Sequence, residues 1–496
     1  GPTLQGDKRN RVYVFYMEGD PVLFAMYRHL NYRYYEGDKW SDPKRIKLGR
    51  GANIAKLMFG QSTAINGDTI HAVWDQNDPR EGPIMAHAEQ VKIRDLMGPM
   101  THPKGQDLPE TMYDGWKVRD TFKPLRQMEI NGETHTLIYG DTHVHSWSSD
   151  GADPSDYYYN FARDFAKLDF FALSDHDIMI ANVPGIEAYI SFLPKVFSKP
   201  DFVCFQAYEF SSQTRGHRCV VFEGDDRPII NMFAVLYPKE KRTNTNGMLY
   251  SFMHKFGLTP DSRVMVTAHN MFNIGNDFSE YDESMEPLYD VMSLHVAAEK
   301  TLDDYVADGV LEEGATRGIT SFMNVMQRMA GDKIQRDPEH KYFYCWRQAL
   351  TDALPLGAYG ASDTHAVSGL GWITAGLWVR EKTRKSIFDS MFERKSIAID
   401  NQARDINVLN LFPFRESRIK DLPVRRMDIR FWVDDNFMGT RPSINSVPVA
   451  KAYAQSQDKN DPVSRIVFVK DGREMFSARN LTPSGDGVEA EWKDDG

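Results

Sequence analysis

Short apolar runs in the middle of this 496-residue chain end, one after another, on histidine, aspartate and glutamate, residue types able to ligate metal ions. Asp141-Thr142-His143-Val144-His145 follows the run at 136–139, with Ser149-Asp150-Gly151 just beyond it. Ser174-Asp175-His176-Asp177 follows 170–173, and Ala207-Tyr208-Glu209 sits at the end of 202–207, with Gly216-His217 next. Thr267-Ala268-His269-Asn270 closes 264–267, and Ala361-Ser362-Asp363-Thr364-His365 closes 357–361. Strands that run parallel and alternate with helices bring their C-terminal ends to one rim. Ligand-type residues spread over more than 200 positions therefore meet in one pocket. Within one strand, side chains at i and i+2 share a face, so His143 and His145 can grip a single cation.

Imidazole mixed with carboxylate suits zinc, manganese or iron, and the near absence of cysteine from the set argues against a thiolate-rich structural zinc site. Only Cys204, Cys219 and Cys345 occur, which rules out a disulfide framework and leaves one bridge between Cys204 and Cys219 open. Core packing is the better reading for both of these thiols. Asp150 has an alternative role as the cap of a helix starting near Pro154. Asp175 and Asp177 read either as carboxylates steadying His176 from behind or as loop caps.

These motifs resemble the PHP superfamily, named for polymerase and histidinol phosphatase. Its signature is a His-x-His strand, a Ser-Asp-Gly, an Asp-His pair, a Glu, a His after an apolar strand, and a late Asp-x-His. The resemblance covers residues 136 to 400, and Leu168-Asp169-Phe170-Phe171 together with Thr383, Arg384, Ile387 and Phe388 is similar to a large, often exported subgroup of unassigned general function. It implies two or three divalent ions (Mn, Zn or Fe). His143, His145, Glu209 and Asp363 would hold the first, with Glu209 bridging to a second that His269 and His217 complete. Asp150, His176 and His365 would hold a third. His295 competes with His217, or else touches substrate.

Cations sharing a carboxylate at about 3.5–4 Å separation hold a bridging hydroxide that needs no serine or cysteine nucleophile. The implied activity is a metal-dependent hydrolase, first of all a phosphoesterase acting on a small anionic substrate. Asp175, Asp177 and His295 are candidates for the acid at the leaving group. Arg215 and Arg218, beside His217, are candidates for gripping the anion, against the alternative of solvated loop charges. A hydrolase of carbohydrate or other non-phosphate substrates is a second reading. A non-catalytic module that keeps the metals for structure is a third, disfavoured because every ligand type is present.

Net charge is −11, from 70 acidic and 59 basic residues, so the basic stripe of a nucleic-acid binder is not expected. A small-molecule or glycan-type anionic substrate is the partner expected. No run approaches the roughly 20 apolar residues of a membrane span. Gly1-Pro2 has the form of a protease scar, so any signal peptide would already be missing. The resemblance to an exported subgroup favours a periplasmic or secreted location, and oligomeric state stays open.

Length alone calls for two or three domains. Residues 1–95 read as β-rich, with strands near 11–16, 30–35 and 69–74 and turn phrases like those of propeller blades. Two such units cannot close a ring of four to eight blades, which favours a small sheet packed on the catalytic domain. Residues 96–135 read as a linker, 136–400 as an α/β domain with a distorted (β/α) barrel, and 297–356 as holding an insertion beside the pocket. Strands are expected at 136–139, 170–173, 202–207, 218–222, 264–267, 288–294 and 357–361, and helices from Pro154 and at 245–256 and 342–353. Residues 401–496 read as a β-sandwich-like appendage, with strands at 428–433, 464–469 and 488–492.

Overall fold

Large apolar residues occupy both faces of the middle strands, so these strands can only lie inside a layered α/β structure. The computed structural model describes residues 3–19, 28–45, 61–66, 69–76, 85–92, 126–151, 153–180, 186–212, 216–229, 246–255, 263–269, 276–294, 298–300, 304, 307, 342–343, 345–400, 427–440, 447–456 and 462–495. Its central sheet contains β1 (Arg126–Ile130), β2 (Glu133–Asp141), β3 (Phe170–Leu173), β4 (Val203–Phe210), β5 (His217–Phe222), β6 (Val264–His269), β7 (Leu288–Met292), β8 (Gly357–Gly360), β9 (Ile373–Val379) and β10 (Ser396–Asp400). The order is β8-β7-β6-β5-β4-β3-β2-β9-β10, with β1 on β2. Its two ends nearly meet. Ser396 Oγ donates to Ala358 O at 2.7 Å, and Gly360 lies so close to β10 that an added Cβ would stand 3.1 Å from Ala398 Cα.

The expected parallel barrel needs one correction. β2, β3 and β4 run parallel, as do β6, β7 and β8, but β5 is antiparallel to both of its neighbours, and β9 and β10 also run antiparallel. Only residues 211–216 separate β4 from β5, too few for the dozen or more that a parallel crossover takes, so the chain turns back as a hairpin. Strands β9 and β10 were not anticipated, and β1 falls inside the expected linker.

Alternation assigns the two faces. Phe170, Ala172, Val203, Phe205, Ala207, Val221 and Met265 fill the interior, and helix Arg384–Phe392 closes one end with Ile387, Phe388 and Met391. That helix is capped by Thr383, whose Oγ1 accepts from Ser386 N. Outside, helix Ser155–Asp164 packs Tyr158, Phe161 and Ala162 against Phe171, Leu173 and Cys204, and helix Asn246–Lys255 packs Leu249 and Met253 against Tyr208, Val220 and Val266. The aromatic stripe of the first helix is thus core. Asp153 does not cap it; its Oδ2 accepts from Val367 N at 2.9 Å instead. The helix expected at 342–353 is shorter, Trp346–Thr351, because Tyr342–Phe343 pairs with Asn276–Asp277 as a two-stranded ribbon.

Near the N-terminus, Thr3–Gly6, Val12–Gly19, Arg28–Glu36 and Lys39–Trp40 follow one another in an antiparallel sheet, and Gln61–Asn66, Thr69–Gln76 and Met85–Lys92 form a second. Beyond the barrel, a five-stranded sheet holds Met427–Val433, Val449–Ser456 and Gly487–Lys493, while Ile466–Lys470 and Arg473–Ala478 form a facing pair. Phe468 packs between the two, 6.4 Å from Phe431 and 6.1 Å from Trp492 by ring centroids. This layer is tied to the barrel: Tyr139 Oη donates to Met427 O, Trp378 Nε1 donates to Ile429 O, and Trp378 meets Phe437 edge-on.

Candidate metal centre

Interior-facing positions change character along each strand. On β4 the series Val203, Phe205, Ala207 ends in Glu209, and on β6 Met265 and Thr267 lead to His269. Because β5 runs the other way, His217 stands at its first residue and still reaches the same rim, paired in register with His269. Glu209 pairs with Cys219, one layer below His217.

The two histidines after β2 are fixed by a short parallel bridge to the late Asp-x-His segment. Asp363 N donates to His143 O at 2.8 Å and His145 N donates to Thr364 O at 2.9 Å. Asp141 fastens the same two segments from beneath, its Oδ1 accepting from His143 N and Ser362 N, each at 3.1 Å. Burial pushes its carboxyl up to about 7 despite those donors. Asp363 itself adopts φ 53°, in the left-handed region that Asp tolerates better than most residues, as a single strained position that aims a functional side chain. In Ser-Asp-Gly the glycine is required. A Cβ on Gly151 would fall 2.1 Å from His145 O, so only glycine lets this loop fold back and deliver Asp150.

All nine residues expected as ligands lie among the described residues, and each touches another of the set. Glu209 Oε1 stands 2.8 Å from His217 Nδ1 and 3.6 Å from His143 Nε2; its Oε2 stands 2.8 Å from His176 Nδ1 and 3.4 Å from His145 Nε2. Asp363 Oδ1 faces His145 Nε2 at 2.9 Å and His143 Nε2 at 3.3 Å, and Oδ2 faces His269 Nε2 at 3.0 Å. Asp150 lies 3.4 Å from His365 Nε2, 3.6 Å from His176 Nε2 and 3.9 Å from His145 Nδ1. Groups compact enough for one ion include His143, His145 and Asp363, and also His145, Asp150, His176 and His365. The second set differs from the one expected: His217 groups with Glu209 and His176, while His269 groups with His143 and Asp290.

Electrostatics couple the carboxylates of the cluster to its imidazoles. Burial disfavours charge at every member, yet His365 and His176 hold the Asp150 carboxyl well below the usual range, and His176 and His217 do the same for Glu209. Against the same burial, Glu209 and Asp150 raise His176 to about 10, and Asp363 raises His269 to about 9. His145 goes the other way, down to about 3, through burial and the neighbouring His365 and His176, so the ring is neutral at neutral pH and one of its nitrogens has a free lone pair. His143 Nε2, both ring nitrogens of His145, Glu209 Oε2, His217 Nε2 and His269 Nδ1 are buried without a hydrogen-bond partner. Buried polar atoms are seldom left so. Converging nitrogen and oxygen donors without hydrogen-bond alignment fit divalent cations, each ring giving one nitrogen and keeping a proton on the other.

Asp175 and Asp177, expected near the leaving group or behind His176, are engaged with the loops. Asp175 accepts from Ser146 N, Ser146 Oγ and Ser149 Oγ, and Asp177 Oδ1 accepts from Ser211 N. Arg218 needs correcting. It is neither a solvated charge nor a substrate clamp but is fully buried, its Nε 2.6 Å from Glu286 Oε1, with Nη1 donating to His217 O and Asn276 Oδ1 and Nη2 to Asp277 O. Being next to His217 on a strand, it must face the opposite side of the sheet. Arg215 and His295, along with most of the expected insertion at 297–356, lie outside the described residues. No bridge joins Cys204 to Cys219: both are free and buried, Cys204 packing on the outer face and Cys219 lying on the inner face within reach of His143.

Asp290 was missed by sequence reasoning, as were the roles of Asp141 and Cys219. It sits within the apolar run of β7, where a single carboxylate between apolar residues was itself the available signal. A cavity of about 430 Å³ lies elsewhere, around Gly472 and helix Trp346–Thr351. Its charges pair with one another, Lys300 and Arg347 with Glu474 and Arg347 with Glu299, so it does not rival the histidine cluster.

Neither a protein-family model nor a curated protein matches the chain. Among solved structures it is similar to PsfC from Pseudomonas syringae PB-5123, at 13% identity and TM-score 0.32 over 57% of this chain and 98% of that one. It is also similar to a two-domain protein from Bacteroides vulgatus ATCC 8482 containing a predicted PHP-like metal-dependent phosphoesterase, at 12% identity and TM-score 0.32 over 75% of this chain and 89% of that one. Likenesses of this degree leave the assignment to the residues themselves.

Proposed function

We propose that this chain is a PHP-like metal-dependent hydrolase, and that its substrate is a small phosphate ester. The observation that carries the reading is the convergence of His143, His145, Glu209 and Asp363, with partnerless buried donor atoms turned toward one another. His143, His145 and Asp363 would hold one cation, with His269 at the other Asp363 oxygen; Glu209 and His217 would hold a second, and Asp150, His176 and His365 a third. When bound, the ions supply Lewis acidity and a water made nucleophilic at neutral pH.

The chain's own residues do the positioning. Neutral His145 offers one nitrogen lone pair without first losing a proton. Glu209 has imidazoles against both of its oxygens, so it is placed to be shared. Asp150, His176 and His365 are the more open members, with 12–20% of their side-chain surface exposed against 7% or less for the others. An incoming phosphate therefore meets this trio first, and water is excluded from the floor beneath. The test is Glu209→Gln, assayed on a panel of phosphate esters after chelation and repletion with manganese or zinc. Loss of more than about 100-fold, beyond what an outer carboxylate usually costs, is expected with folding kept; unchanged turnover overturns the reading.

A further inference from the structure

Each ring that gives one nitrogen to a cation must place a proton on the other, and something must accept that proton. For His143 and His269 the same oxygen lies nearest that nitrogen, hydrogen-bonded to the first ring and facing the second without a formed hydrogen bond. Asp290 Oδ2 stands 3.3 Å from His143 Nδ1 and 3.5 Å from His269 Nδ1, while the Nε2 atoms of both rings face the two oxygens of Asp363. The rings meet edge to face with centroids 4.4 Å apart, and Asp290 is only 2% exposed. Its other oxygen, Oδ1, lies 3.3 Å from Ala361 N and 3.4 Å from Met292 N, which orients the carboxylate from behind. Register delivers it there: β7 lies between β6 and β8, and Asp290 pairs directly with His269.

We infer that Asp290 is a positioning residue that fixes His143 and His269 together as Nδ1–H tautomers, so that both present Nε2 to the cation side of Asp363. This rests on the metal-centre reading above. The alternative roles for Asp290 are direct ligation, since it is compact with His143 and His269, and plain structural support of β7. Two facts favour positioning. The Nε2 side of His143 collects Glu209 and Asp363, with His145 beside them, whereas Asp290 approaches from the Nδ1 side. Asp290 Oδ2 also faces the Nδ1 atoms of both rings, at 3.3 and 3.5 Å, so one carboxylate can set the tautomer of each.

Two measurements test it. In wild-type protein labelled with ¹⁵N-histidine and loaded with zinc, long-range ¹⁵N–¹H spectra should show His143 and His269 protonated at Nδ1 and metallated at Nε2. Metallation at Nδ1 of either ring overturns the proposal without any variant having to fold. In Asp290→Asn, whose amide can turn an N–H toward the rings and favour the wrong tautomer, one zinc should bind about 10–100-fold more weakly by chelator competition. Zinc stoichiometry at saturation should be unchanged, and Asp290→Glu should recover part of the affinity. Loss of one ion even at saturation would make Asp290 a ligand, and unchanged affinity with a lowered Tm would make it structural; either overturns the proposal. Failure of the metal reading is distinguishable, because wild type itself would then bind no zinc and Glu209→Gln would match it.

Discussion

His217 and Arg218 are neighbours on one strand, and each belongs to a buried polar cluster, one on either face of the sheet. On the outer face the positive charge is covalent. Arg218 meets Glu286, two backbone carbonyls and Asn276, its guanidinium lies over Phe278 at 5.0 Å, and Tyr250 Oη donates to the second Glu286 oxygen. On the inner face four carboxylates, Asp150, Glu209, Asp290 and Asp363, face six imidazoles. The first cluster is neutralised by its own guanidinium; the second is neutralised by protons on His176 and His269, which divalent cations can displace. Burying polar groups is tolerable only when their partners are present, so the same strand marks which cluster is structural and which is built to bind.

The sharpest way to break the comparison is to remove the built-in cation. Arg218→Ala leaves Glu286 buried and unpaired and should lower stability by about 3–5 kcal/mol in urea denaturation, with no recovery on adding manganese or zinc. Replacing the pair together, Arg218→Met with Glu286→Leu, should be near neutral. A double variant as damaging as the single one would show that this cluster, too, does something beyond packing.

A smaller effect is expected from the other face. Ions that bind only the folded chain should stabilise wild type by about 2.7 kcal/mol at 100 times the dissociation constant, and Glu209→Gln should lose most of that gain. The gain should depend on pH in a fixed direction. Without ions, His176 at about 10 and His269 at about 9 lie above their unfolded values, so their protonated forms stabilise the fold fully below about pH 6.5, and this contribution disappears as pH rises through 9 to 10. Cations must displace those protons. The ion-induced rise in Tm should therefore be larger at pH 9 than at pH 6, with protons released on binding in titration calorimetry at pH 7.

The smallest effect sets the scale. Thr383→Ala removes a helix cap far from either cluster and should cost about 1 kcal/mol, identically with and without ions. A cap variant whose penalty changed with metal would mean that the barrel's closed end and its rim are coupled.

The rim was legible because ligand chemistry forbids most substitutes: His143, His145, Asp150, His176, Glu209, His217, His269, Asp363 and His365 all lie in contact with another of the group. Strand positions were legible from apolar runs, but direction was not. Reversal of β5 shows only in the shortness of 211–216, and an apolar run carries no polarity of its own. Arg218 was misplaced for a related reason, since charge suggests solvent until the pairing partner, 68 residues away at Glu286, is known. Asp290 stayed hidden because its role exists only between two rings that the fold brings together.

The central claim is that the inner cluster is completed by divalent cations. Anomalous diffraction from crystals grown with manganese tests it most directly: the account predicts peaks among His143, His145, Glu209 and Asp363, each about 2.0–2.2 Å from imidazole nitrogen or carboxylate oxygen. Ordered water hydrogen-bonded to these same atoms, with no anomalous signal in the cluster, would contradict it.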